Sequence, residues 1–170
     1  MDNHNNYTFN NDRRNNQQRG GFNSDRGYRN DNRESTINLS FVEKGFRNES
    51  GNIREELITI EAYEIAKSLN SGKVTSSQLR AFYNEFKAIQ NRIIDEKTFE
   101  ENYVFILLMK SKADYKYRNN RNNQIPQVFH EFLEESVNTL KKFKSKRNFD
   151  DYMLFFEAIV GYYYGFGERK

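Results

Sequence analysis

Arg80, Asn84, Lys87 and Asn91 follow one another at steps of four, three and four residues, the spacing that aligns side chains along one face of an α-helix. Two cations and two amides in one exposed row can meet phosphate oxygens by charge and by hydrogen bonding. A second cationic group, Lys110, Lys112, Lys116, Arg118 and Arg121, is interrupted only by Asp114 and follows directly on the apolar run Tyr103 to Met109. Each group also has a plainer reading. A charged row is often a solvated face, and cations collect near a helix C-terminus because the macrodipole favours them there.

Catalytic chemistry finds little support. His130-Glu131 followed by Glu134 has a metal-like spacing, but no second histidine follows Ile37 to complete a site, and paired Glu-x-x-His motifs are absent. His130 is therefore expected to be a surface or half-buried helix residue. Asp150, Asp151 and Glu157 could suggest a nuclease metal cluster, yet the first two are explained by the start of a helix. The chain contains no cysteine, so thiolate ligands, disulfides and a cysteine nucleophile are excluded. No phosphate-loop, nucleophile-elbow or dinucleotide-binding motif occurs. The expectation is a protein without catalytic activity, metal or cofactor.

The elements that would carry these residues are helices. One proline in 170 residues, with abundant Leu, Ile, Glu, Lys and Phe, favours helix over turn-punctuated strands. The net charge is only +3, so a basic surface must be local. Residues 1–52 are expected to form a disordered Asn-, Arg- and Gly-rich tail and a loosely docked linker. No Leu, Ile or Val precedes Ile37. Arg19-Gly20-Gly21-Phe22 and Arg26-Gly27-Tyr28 have the composition of flexible RNA-binding tails, while the acidic residues around them nearly cancel the arginines and equally suit an inert tail.

Residues 53–170 are expected to form a compact all-α bundle of about five helices. The first carries Ile58, Ala62, Ile65 and Leu69, with Thr59 as N-cap and Asn70-Ser71-Gly72 as terminator. The second begins at Thr75 or Ser76 and buries Leu79, Phe82, Phe86, Ile89 and Ile93. The third, from near Glu100 to about Tyr117, is apolar on every side between Tyr103 and Met109, which predicts an enclosed central helix. The fourth starts at Pro126, turns Phe129, Phe132, Leu133, Leu140 and Phe143 inward, and ends in a lysine-rich segment. The last is capped by Asn148 and carries Phe149, Tyr152, Phe156, Ile159, Val160 and Tyr163, leaving Leu154, Phe155 and Tyr162 for a partner. No apolar stretch approaches the roughly 20 residues of a membrane span, and a cytoplasmic setting is expected.

Three segments resemble the small subunit of type III-A CRISPR effector (Csm) complexes. Thr75-Ser76-Ser77-Gln78-Leu79-Arg80 is similar to that family's Thr-Ser-x-Gln-Ile-Arg helix start. Leu107 to Tyr115 is similar to its apolar helix running into Lys-x-x-Tyr, and Phe155-Phe156-Glu157-Ala158-Ile159-Val160-Gly161-Tyr162 to its closing Phe-x-Glu-Ala-x-Val-Ala-Tyr. Where the family commonly has Gly-Arg after the tyrosine, this chain has Tyr115-Lys116-Tyr117-Arg118-Asn119 with no glycine.

The resemblance implies a non-catalytic, all-helical, RNA-binding subunit of an antiviral ribonucleoprotein, several copies of which stack along guide and target RNA. Its implied partners are those RNAs, other copies of itself, the large polymerase-like subunit and the backbone repeat subunits. The candidate RNA contacts are Lys73, Arg80, Lys87, Lys112, Lys116, Arg118 and Arg121. The alternative from another class is a helical protein-interaction adaptor without direct RNA contact. Because the tail holds no aliphatic residue, deleting residues 1–35 is expected to leave the melting transition unchanged. A fall of several degrees would reveal a docked tail, since roughly 1 kcal/mol moves a domain of this size by a few degrees.

Overall fold

The computed structural model describes residues 37–118 and 124–167, so the Asn- and Arg-rich tail and Arg121 lie outside the described residues. Among the described residues the architecture is all-helical, apart from one isolated antiparallel bridge between Arg47 and Ile53. A short α1 (Phe41–Lys44) is followed by a π-helical turn (Leu57–Glu61) that continues into α2 (Ala62–Ser71). Then come α3 (Ser76–Gln90), α4 (Glu96–Arg118), α5 (Gln127–Lys142) and α6 (Lys146–Gly165). No described helix is long and apolar enough to cross a membrane.

The centre of the bundle is α6, not the apolar run of α4. Phe149, Tyr152, Met153, Phe155, Phe156, Ile159 and Tyr163 of α6 are all buried, and the helix packs against α2, α3, α5 and the π turn. By contrast, α4 lies outside, on α5 and α3. It turns Phe99, Ile106, Met109 and Ala113 inward, half-buries Tyr103 and Leu107, and leaves Val104, Phe105 and Leu108 at 53%, 41% and 54% exposure. The expectation of an enclosed helix fails there because the all-apolar stretch covers only about two turns, while charged residues fix one long side of α4 in water.

The segment expected to be a loose linker is instead part of the core. Ile37, Phe41 and Phe46 are buried, and Phe41 meets Phe155 edge-on at 5.3 Å and stacks on Phe46 at 6.0 Å. Phe155, expected to be left for a partner subunit, is thus fully covered from within the chain. Polar groups lock this segment in place. Arg47 donates Nη2 to Asp151 Oδ1 at 2.7 Å and its Nε lies 2.5 Å from Oδ2. Burial pushes the Asp151 carboxyl above the usual carboxylate range, and Arg47 opposes that shift. Buried Arg54 donates to the Gly45 carbonyl at 3.0 Å and pairs with Glu61 at 2.7 Å.

Helix starts also differ from the sequence expectation. Thr59 does not cap a helix; it sits inside the π turn and donates its hydroxyl to the Glu55 carbonyl at 2.9 Å. Asp95 and Thr98 cap α4 reciprocally, with Thr98 N donating to Asp95 Oδ1 at 2.8 Å and Asp95 N to Thr98 Oγ1 at 3.0 Å, so the helix begins before Glu100. Ser145 caps α6 by accepting from Asn148 N at 3.1 Å, while the Asn148 amide donates to the Phe143 carbonyl at 3.0 Å. Asp150 therefore stands beyond the first turn, held by Gln90 at 2.9 Å and Lys146 at 2.6 Å.

Two substitutions test this packing. Phe155→Ala is expected to cost about 3 to 5 kcal/mol in chemical denaturation, whereas Leu108→Ala, on the outer side of α4, should stay within about 0.5 kcal/mol. Arg47→Ala strands the buried Asp151 carboxylate and is expected to cost on the order of 3 kcal/mol at neutral pH. A neutral effect of Arg47→Ala would mean that residues 37–53 do not brace α6.

Candidate nucleic-acid interface

The first turn of α3 lies between two clefts that each carry a candidate cation, and its geometry is set by amide side chains. Thr75 accepts from Gln78 N at 3.2 Å while Gln78 Oε1 accepts from Thr75 N at 3.0 Å, a closed capping box. The same Gln78 donates Nε2 to the Gln124 carbonyl at 2.9 Å, and Gln124 donates Nε2 to the Tyr117 carbonyl at 2.6 Å. These bonds fasten the end of α4 beside α3, and with it Lys116 and Arg118. His130 steadies the same end from α5. It shares a 2.6 Å hydrogen bond with Asp114 and stacks on Tyr117 at 4.5 Å, half-buried as expected.

On the other side of α3 the chain leaves α2 through a left-handed turn. Val74 N donates to Leu69 O at 3.1 Å and Lys73 N to Asn70 O at 3.2 Å, which satisfies the last carbonyls of α2 in a Schellman arrangement. The residue with positive φ is Lys73, at 62°, while Gly72 keeps an ordinary φ of −75°. Glycine is required at 72 for another reason: a Cβ there would meet Val128 Cγ1 of α5 at 2.3 Å.

The sequence candidates separate by what they touch. Lys73 and Arg80 are exposed, and the Arg80 guanidinium lies 5.3 Å from the ring centre of Tyr164 at the end of α6. Lys116 is half-buried beside Thr75 and Gln78, and Arg118 is exposed at the last residue of α4. None of these four has a carboxylate partner among the described residues. Lys112, by contrast, is paired with Glu85. Lys87 is half-buried and donates to Gln90 at 2.9 Å, which in turn donates to Asp150.

The structure does not bring all candidates into one patch. At about 100° per residue, Arg80 and Lys87 share a side of α3, whereas Glu85 stands roughly 140° to 160° around from them. The Arg80 side faces α6, through Tyr164, and the Glu85 side faces α4, through Lys112. The first turn of α3 separates Lys73 and Arg80 from Lys116 and Arg118, and Thr75 borders the clefts on both sides.

Sequence reasoning missed Tyr164 as a partner of Arg80. The signal was present in the off-stripe position of Tyr164, one residue beyond the buried Tyr163. It also left the lysine-rich end of α5 unsorted. There Lys144 pairs with Glu100 and lies 4.5 Å from the Tyr103 ring centre, and Lys146 pairs with Asp150. Among the described residues no group of three or more His, Cys, Asp or Glu could hold a metal ion.

The family model for Csm2 Type III-A matches residues 53–169, which takes in all five long helices and every candidate cation. The match leaves out α1 and Arg47, although both are built into the same core. No curated protein and no solved structure gives a significant match to the chain. With well over half of its length matched, the chain belongs to the Csm2 Type III-A family, the small subunit of type III-A CRISPR Csm complexes.

Proposed function

We propose that the bundle is a non-catalytic RNA-binding subunit that holds the backbone of guide and target RNA through Lys73, Arg80, Lys116 and Arg118. Several copies stack along the RNA of a cytoplasmic antiviral ribonucleoprotein, against the backbone repeat subunits and the large polymerase-like subunit. The observation that carries this reading is that Lys73 and Arg80 on one side of the start of α3, and Lys116 and Arg118 on the other, have no carboxylate partner among the described residues. A cation already neutralised by a carboxylate gains less from a phosphate, because it must first give up its partner, whereas an uncompensated one releases counterions from the RNA directly. Lys112 and Lys87 are accordingly lesser contributors, and Arg121, three residues beyond Arg118 in sequence, is a further candidate.

Backbone contact suits a subunit that must accept any guide, since base pairing reads the sequence and the protein reads only phosphates and shape. A second reading has one observation in its favour. The exposed apolar row Val104, Phe105 and Leu108 on α4 is the kind of surface an adaptor would use.

The two are separated by salt dependence in the assembled complex, where stacking of copies raises the effective affinity of each. Arg80→Ala combined with Lys116→Ala is expected to weaken binding of unrelated RNA sequences alike. It should also flatten the slope of log affinity against log salt by about 1.4, at about 0.7 for each phosphate on single-stranded RNA. Lys112→Ala should change the slope less. An unaltered affinity and slope in the double variant would sink the backbone reading and favour the adaptor, and loss confined to one RNA sequence would indicate base readout instead.

A further inference from the structure

We propose that the cleft between the α2–α3 turn and the end of α6 holds one unstacked nucleotide of single-stranded RNA, its phosphate on Lys73 and its base against Tyr164. This deepens the RNA-binding reading and rests on it. The cleft has a volume of about 360 Å³, and its lining includes Asn70, Lys73, Thr75, Tyr163, Tyr164 and Gly167. That volume lies at the lower end of small-ligand sites, which run from about 300 to 1,000 Å³.

Its walls divide by chemistry. On the turn side stand the Lys73 ammonium, the Asn70 amide, which has no side-chain partner among the described residues, and the Thr75 hydroxyl. On the α6 side stand two tyrosine rings, set edge to face at 6.1 Å. A phosphate needs the first wall and a base the second, because any base can stack on an aromatic face. An apolar ligand would leave the ammonium unused, and a bare anion would leave the rings unused. The two walls are fixed relative to each other by the Tyr163 hydroxyl, which donates to the Val74 carbonyl. Arg80, seated on Tyr164, adds a second cation next to the stacking ring.

The backbone at Lys73 is an independent argument. Its φ of 62° is the one positive value at a non-glycine residue among the described residues. A side chain in that conformation costs about 1 to 2 kcal/mol that glycine would avoid. Glycine stands one position earlier, where packing on Val128 demands it. The Lys73 side chain is exposed and has no carboxylate partner among the described residues, so no described contact of the fold depends on it. Conformational cost retained at a cation beside a cleft is the pattern expected of a ligand contact. Across Thr75 the neighbouring cleft carries Lys116, which offers the next phosphate of the strand a partner.

The test uses the full chain and a fluorescently labelled single-stranded oligouridylate, read by anisotropy at low salt, together with ultraviolet crosslinking in the assembled complex. Tyr164→Ala is expected to weaken binding roughly 5- to 150-fold, the range for loss of one stacked base, while Tyr164→Phe keeps it. Lys73→Gly should weaken binding with a melting temperature equal to or above that of the native chain, which separates lost contact from lost fold. Crosslinking should place a uridine on the peptide containing Tyr164. Equal affinity of native protein for intact RNA and for RNA with abasic positions would overturn the nucleotide site. So would unchanged binding by Tyr164→Ala alongside weakened binding by Arg80→Ala, an outcome that leaves the backbone reading standing. Absence of any RNA binding or crosslink, by the full chain and in the complex, would overturn both.

Discussion

The contact between Phe41 and Phe155 decides the architecture. A helix such as α6, buried on two flanks, needs partners on both, and α2, α3 and α5 cover only part of its circumference. Phe41 and Phe46 close the remainder, and Phe132 joins them from α5 at 6.3 Å from Phe41. Edge-on aromatic pairs of this kind contribute beyond the area they bury. With that side sealed, α4 is not needed as a central element. It can lie on the outside and carry its cations to the end of the bundle.

This also explains which parts of the fold were legible in the sequence. The periodic stripes of α3 and α5 were read correctly because each of those helices has one apolar face, and periodicity locates a single face well. The apolar run of α4 misled because apolar residues on every side can mean either enclosure or an apolar surface, and only the competition among helices decides between them. Phe155 lies off the main apolar stripe of α6, and its partner Phe41 comes from a segment whose mixture of apolar and charged residues has the composition of a linker. Caps were found where the motif is complete, as at Thr75 and Gln78. The residue type of Asn148 suits a cap, but Ser145 occupies that position.

The candidate site was legible as a set of cations and illegible as a surface. Spacing put Arg80 and Lys87 on one side of α3, but it could not show that Glu85, on another side, meets Lys112 from α4. Nor could it show that Gln78 and Gln124 tie the end of α4 to the start of α3. Pairing across helices is a tertiary fact, and it divides equal-looking lysines into compensated and uncompensated ones. Around the outer row of α4 the same sorting appears: Arg92 covers Phe105 at 5.6 Å from its ring centre, and the Glu85–Lys112 pair borders the neighbouring cleft.

The close approach of Gly72 to Val128 has a consequence for how this turn can change over evolutionary time. Position 72 is constrained by volume, because even a Cβ there would run into Val128 of α5. Position 73 is constrained the opposite way: its backbone would accept the smallest residue without strain, and under the proposed RNA contact it is the ammonium that favours lysine. Two neighbouring codons are therefore held by unrelated pressures. On the proposed RNA contact, a lineage that gave it up could accept glycine at 73, while packing on Val128 would still hold glycine at 72.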